Sequence, residues 1–397
     1  MARTYANINK EALAYICSQI GVTITFIKQK TTYSEEKISM WLDANNDVFP
    51  TITQAKTLAK VLKVPFAGLY MNKINLPIKK LPSLRNLRTM DYSYPVDDSA
   101  LNLAVAELIK YHDFLISSEE EMNIQTTILS LPTISDSTNV TNYAKIIRKY
   151  FELELEAQFK LSSARQFYLY VREKIECKGI FVHCFSGVNV EIARGVAIYN
   201  ETAPIIGINE KDRYPAKTFS IIHELVHILK RQSTICNEMS SSFSSQNEEI
   251  FCNAVAGEVL VPAAALDTFI LSKKIYDISL DDIETMAKRF SISKEVVTRR
   301  LYDTQRFSKD EYNTFTNEIR QNFLLDQKAK KIAQQEGGGN PIPKIMSRAA
   351  IDKTSSAICQ VLLLGYSDGY FSKQEVSGFL GIKEKHIPRF IAEVEKW

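Results

Sequence analysis

Five consecutive residues, His223-Glu224-Leu225-Val226-His227, carry the densest chemistry in this chain. On a helix advancing about 100° per residue, His227 falls roughly 40° from His223, and Glu224 roughly 100° from it. Two imidazoles one turn apart can share a Zn²⁺, while the carboxylate between them reaches a water on the open side of the metal. The chain holds only five histidines in 397 residues. A chance H-E-x-x-H is therefore expected in on the order of 0.4 % of such sequences. The competing reading is a charged helical turn without metal.

A catalytic zinc takes three protein ligands and keeps one position open, so a third ligand must come from outside this helix. Glu238, Glu248, Glu249, Glu258 and His183 are candidates, and Glu249 stands first. It opens a helix whose apolar positions Ile250, Ala254, Val255 and Val259 supply a packing face, and Asn253 lies one turn on, placed to accept a proton from a ligand imidazole. Glu248 points about 100° away, toward solvent. Glu224 would serve as general base, taking a proton from the activated water and handing it to the leaving amine. The oxyanion needs one further donor, for which Tyr199, Tyr214 and His183 are candidates.

These groups need elements to hold them. Phe219, Ile222, Val226 and Leu229 form an apolar stripe with the histidines at its edge, so the active helix, about 215–230, should pack its back on a core. Strand signals precede it at 179–185, 195–199 and 204–209, and the last reads as an edge onto which an extended peptide could add. A Ser-rich loop at 240–245 leads to a second helix from Glu248 to Leu260, stopped by Pro262. Upstream, helical periodicity runs from Asp98 to Met122, from Thr138 to Phe151 and from Ser162 to Cys177.

At the front, residues 1–72 read as five short helices: Asn9 to Ile20, Val22 to Lys30, Ser34 to Leu42, Thr51 to Leu62 and a last turn from Pro65. The Thr-Thr-Tyr turn between the second and third gives a helix-turn-helix arrangement. Two further stretches, 281–302 and 372–383, resemble it. The expected layout is a helix-turn-helix unit at 1–74, a Pro-rich basic linker at 75–96, a metallopeptidase unit at 97–265, a helical extension at 266–335 and a small helical unit at 336–397, with Gly337-Gly338-Gly339 as a loop. The fold class is mainly α with a small antiparallel or mixed sheet, α+β overall.

Composition sets the class: 45 % hydrophobic and 24 % charged is ordinary globular usage. The net charge of +3 is too small to argue by itself for nucleic acid. Six scattered cysteines without a C-x-x-C pair suggest neither a disulfide framework nor a thiolate zinc site. No run approaches 18 apolar residues and the N-terminus has no apolar signal core, so a reducing cytoplasm and no membrane are expected.

Four separated motifs, Gly179 to Val182, Pro204 to Asn209, Thr218 to His227, and Glu249 through Asn253 to Pro262, fall in the order seen in the ImmA/IrrE-type zinc metallopeptidases, and the chain resembles that family over roughly 175–265. It departs from the usual pattern at Val226, where the family has Gly, and at Cys252, where it has Ala. The front end is similar to the XRE-like helix-turn-helix often fused to this family. The resemblance implies a gluzincin-like endopeptidase whose relatives cleave repressors or antitoxins in mobile-element, phage-defence, toxin–antitoxin or stress control. It also implies Zn²⁺ on His223, His227 and Glu249, with Glu224 as base.

Does the front end bind DNA? Residues 1–73 hold nine Lys/Arg against five Asp/Glu, a net of +4. Lys28, Lys30, Ser34 and Lys37 are the candidate contacts to DNA or to a partner. Glu35 and Glu36 at the start of the reading helix oppose phosphate binding, which favours docking of a protein, such as a like-folded repressor that is itself the substrate. The alternative to a protease is a helix-turn-helix or protein-binding regulator whose zinc site is structural or silent.

Overall fold

The computed structural model describes residues 4–72, 97–122, 131–132, 139–236, 243–336 and 345–396. The linker expected at 75–96, the loop at Gly337 to Gly339, the candidate ligand Glu238 and the first part of the Ser-rich loop lie outside them.

Local capping builds the N-terminal unit. Asn9 accepts from the Ala12 amide and starts α1 (Lys10–Ile20), which Gly21 ends at φ 72°. Thr23 caps α2 (Ile24–Lys30), Ser34 caps α3 (Glu35–Leu42), and Thr51 with Gln54 makes a capping box on α4 (Ile52–Val61). A 3₁₀ turn at Phe66–Tyr70 follows. The helices close over one core that includes Leu13, Ile27, Ile38, Trp41 and Leu58. From this unit α5 (Ser99–Met122) runs to the sheet. Its Leu103 enters the N-terminal core, whereas Leu101, Val105 and Leu108 enter a second core beneath the sheet. Thr23 Oγ1 donates to Asp97 at 2.8 Å, and Asn102 Nδ2 donates to the Gly21 carbonyl at 2.9 Å.

Next come α6 (Val140–Tyr150), α7 (Leu155–Lys160), which periodicity does not reveal, and α8 (Ala164–Glu176). Strands β1 (Phe181–Phe185), β2 (Gly195–Ile198) and β3 (Ile205–Asn209) lie where the β-branched runs place them. A three-residue strand, β4 (Thr234–Cys236), is too short to show itself in the sequence. The order is β1-β3-β2-β4, with β1 and β3 parallel and the other pairs antiparallel, so the sheet is mixed. This overturns the expectation for 204–209. β3 is not an edge: β1 bonds it on one side and β2 on the other, and the edges are β1 and β4. All five of its residues are buried, as a near-continuous apolar run covered on both faces should be.

Side-chain alternation divides two cores across the sheet. Val182, Cys184, Ala197, Ile206 and Ile208 face one core with α8, α9 (Tyr214–Leu229) and α10 (Phe243–Leu260). To that core α11 (Ala263–Lys273), α12 (Leu280–Phe290), α13 (Lys294–Asp303) and the first turns of α14 (Lys309–Glu336) add Leu266, Phe290, Leu301 and Ile319. Phe181, Phe185, Val196 and Ile205 face the other way. There α5 meets α15 (Met346–Lys353), α16 (Ser356–Ser367), α17 (Lys373–Leu380) and α18 (Ile387–Val394). The segments after 265 and 336 thus contribute to the same two cores as the sheet. No single described helix is long and apolar enough to cross a membrane.

Candidate metal centre

Helix α9 begins at Tyr214 with Pro215 in its first turn, a position where the missing amide proton costs nothing. The expectation of a one-sided apolar stripe is corrected here. From Lys217 to Leu229 every residue is buried except the half-buried Phe219. The sheet covers α9 on one side, and α8 and α10 cover others, so a helix apolar nearly all round is what this position demands. The histidines sit inside the protein rather than at the edge of a surface stripe.

Three ligand-type atoms meet there. His223 Nε2 and His227 Nε2 lie 3.2 Å apart. Glu249, brought in by α10, places Oε2 3.1 Å from His223 Nε2 and Oε1 3.4 Å from His227 Nε2. Among the described residues this is the one group of three metal-ligating side chains drawn so close together. A tetrahedral site with bonds of about 2.05 Å has edges of about 3.3 Å, so the three separations match those of zinc ligands. Two imidazole nitrogens and one carboxylate are also the donor set a hydrolytic zinc takes. Burial alone would raise the Glu249 carboxyl, but hydrogen bonds from His223 and His227 hold it down to about 2. An ionised carboxylate against two imidazole nitrogens is the state a dication selects.

Glu224 is wholly buried beside this cluster, and the backbone of β2 lies over it. The outer nitrogen of His227 corrects the expectation for Asn253. Asn253 is half-buried, and the group near His227 Nδ1 is Cys252 Sγ at 3.8 Å. Burial, with Glu249 nearby, pushes this thiol well above its ordinary range and keeps it neutral. Sequence spacing does not choose it: Cys252 and Asn253 differ by one 100° step, and only the docking angle of α10 decides between them.

The other candidates are drawn elsewhere. Glu248 accepts from Lys230 Nζ at 2.5 Å and Gln232 Nε2 at 2.7 Å. Glu258 pairs with Arg300 and accepts from the Ala263 amide, locking α10 to α13. His183 lies on the far face of the sheet, with Phe181 and Phe185, so it is neither ligand nor oxyanion donor. There its ring centroid is 3.9 Å from that of Tyr111, and Nε2 is 3.9 Å from Glu107. Tyr214 is nine residues before His223, about 13 Å along the axis, and its hydroxyl accepts from Arg165 Nε at 3.3 Å. Tyr199 packs, half-buried, against the main core.

The second helix-turn-helix-like stretch is a packing device. Lys288 and Lys294 both pair with Glu284, Arg299 pairs with Asp303, and Arg300 is buried. At the front end, Lys28 pairs with Glu35 at 3.2 Å, Lys30 lies over the Phe26 ring, Ser34 is used in the cap, and its cap partner is the Lys37 amide.

No curated protein matches the chain. Residues 177–302 match the Peptidase_M78 family, described as the IrrE N-terminal-like domain. The match spans the sheet, the H-E-x-x-H helix, Glu249, the whole of α12, and α13 up to Tyr302. This segment, in which His223, His227 and Glu249 converge, is thus similar to the IrrE N-terminal-like peptidase family.

Proposed function

We propose that the chain is a zinc-dependent endopeptidase that cleaves a regulatory protein of repressor or antitoxin type. The observation that carries this reading is the convergence of His223, His227 and Glu249 at 3.1–3.4 Å with Glu224 buried beside them. Zinc, when bound, supplies a Lewis acid that acidifies water and polarises a peptide carbonyl. His223 and His227 present their Nε2 atoms from successive turns of one rigid, buried helix, which fixes their spacing. Glu249 adds the negative charge that offsets a dication. Glu224 takes the proton from the attacking water and delivers it to the leaving nitrogen. Burial favours both roles, since charges act more strongly where water is scarce.

The residues around Lys28 and Ser34 suit a protein contact better than DNA. Glu35 and Glu36 occupy the first turn of α3, and Lys28 spends its charge on Glu35. The burial of the metal cluster favours one second reading, a binding regulator with a silent site: His223 and Glu249 are each only 5 % exposed. Intact-mass spectrometry separates the two. The product of the adjacent gene is incubated with zinc-loaded wild type and with Glu224→Gln. Cleavage by wild type alone supports the peptidase; a cellular effect retained in full by Glu224→Gln supports the silent site.

A further inference from the structure

We propose that Gly195 is a positioning residue for Glu224, the wall that fixes the carboxylate of the candidate base. The proposal rests on the reading of Glu224 given above. A Cβ built on Gly195 would collide with Glu224 Oε1 and stand 2.7 Å from Cγ and 2.8 Å from Cδ. No real side chain tolerates such contacts. Gly195 is not among the glycines with positive φ, so its backbone conformation does not call for glycine. Space does.

Neither neighbour can give way cheaply. Gly195 is paired with Ile208 of β3 on one side and Cys236 of β4 on the other, so β2 is held in the middle of the sheet. Glu224 is 0 % exposed on a helix buried through successive turns, and the contact reaches its Cγ as well as the tip. Ala197, the next residue on the same face of β2, is also small, and it faces the core that contains Ile221 and Leu225. A strand face of Gly195 and Ala197 lets α9 approach closely, and the bare backbone at 195 then removes the rotamers that would carry the carboxylate away from the ligands. The three heavy atoms nearest a Cβ at 195 all belong to Glu224.

The test is a cycle of Gly195→Ala, Glu224→Ala and the double variant, each purified as the full chain with zinc. Melting temperature is read first. Gly195→Ala should cost about 3–6 °C with Glu224 present, the size of an overpacked core position, and close to nothing in the Glu224→Ala background. Zinc affinity, by competition with a chromophoric chelator, should stay within about threefold of wild type, because the ligands are untouched. On the adjacent-gene protein, Gly195→Ala should lower kcat at least about 30-fold with KM within about twofold, as loss of a general base does. Equal melting losses in both backgrounds, or a zinc affinity that falls in step with kcat, overturn the proposal. A wild type that cleaves nothing overturns the peptidase reading instead, and the melting cycle then decides by itself whether Gly195 places Glu224.

Discussion

Each residue of the metal cluster has a separable duty, and substitutions should separate them. Glu224→Gln removes a proton acceptor but no ligand, so it should keep one zinc per chain and lose cleavage by about 100-fold or more, within the range a general base supplies. Zinc content by atomic absorption, measured beside cleavage, checks this; loss of zinc in Glu224→Gln would make Glu224 a ligand. His227→Ala should lose zinc and cleavage together. At this scale the sequence was informative where spacing alone decides. A four-residue interval puts His223 and His227 on one face of any helix, and Glu249 stands first among several candidate ligands because the apolar positions after it give its helix a packing face. Cys252 was not legible, because choosing it over Asn253 needs the rotation of α10 about its axis. Gly195 was silent too: a glycine in a strand run gives no hint of which carboxylate will lie under it.

The elements explain why the ligands hold their places. Helix α10 carries Glu249 two turns in and is pinned at its C-terminal end by the buried Arg300–Glu258 pair, with Arg300 Nε also donating to the Val261 carbonyl at 3.1 Å. Arg300→Met should leave a buried carboxylate uncompensated and cost roughly 3–5 kcal/mol, while adding Glu258→Gln should restore part of that loss. Urea denaturation of wild type, Arg300→Met, Glu258→Gln and the double variant checks it, and equal stability of Arg300→Met and wild type would show that the pair pins nothing. Helix positions were readable from caps such as Asn9 and Ser34. Strand positions were readable from β-branched runs, but strand order was not. The apolar run from Ile205 to Ile208 signals a strand covered on both faces, which is what an interior position means, and taking it as an edge ignored that signal. The helix-turn-helix outline at 281–302 likewise described local geometry and not a role, since Lys288, Lys294, Arg299 and Arg300 pair with carboxylates and Arg289 lies over the Phe159 ring.

Across the whole molecule, Glu107 of α5 joins three parts. It receives Lys63 from the N-terminal unit at 2.6 Å and Lys353 from α15 at 2.7 Å, and it stands beside His183 of β1. Burial, opposed by Glu107, lowers His183 from its ordinary value near 6.5 to about 4. The unfolded chain takes up this proton near 6.5 and the folded chain does not until about 4, so His183 favours folding above that window and the benefit fades as pH falls through it. The loss has a ceiling of ~3 kcal/mol at 1.36 kcal/mol per unit. Glu107 is held below its ordinary value, so its own loss on acidification comes lower. His183→Leu should therefore flatten the fall in urea midpoint between pH 6.5 and 4.5, and an unchanged slope would contradict it. Removing residues 345–397 should uncover Phe181, Phe185 and Ile205 and give an aggregating chain in size-exclusion chromatography; a monodisperse, zinc-binding product would show that the second face of the sheet needs no cover. This long-range packing was beyond the sequence, because alternation marks two faces of a strand without saying which later helices cover them. The most direct test of the central claim is the zinc content of purified wild type and Glu249→Gln. The geometry predicts one zinc per chain for wild type and an affinity weaker by more than about 100-fold for Glu249→Gln, beyond what an outer-shell partner costs. Equal zinc binding by both would contradict the three-ligand centre.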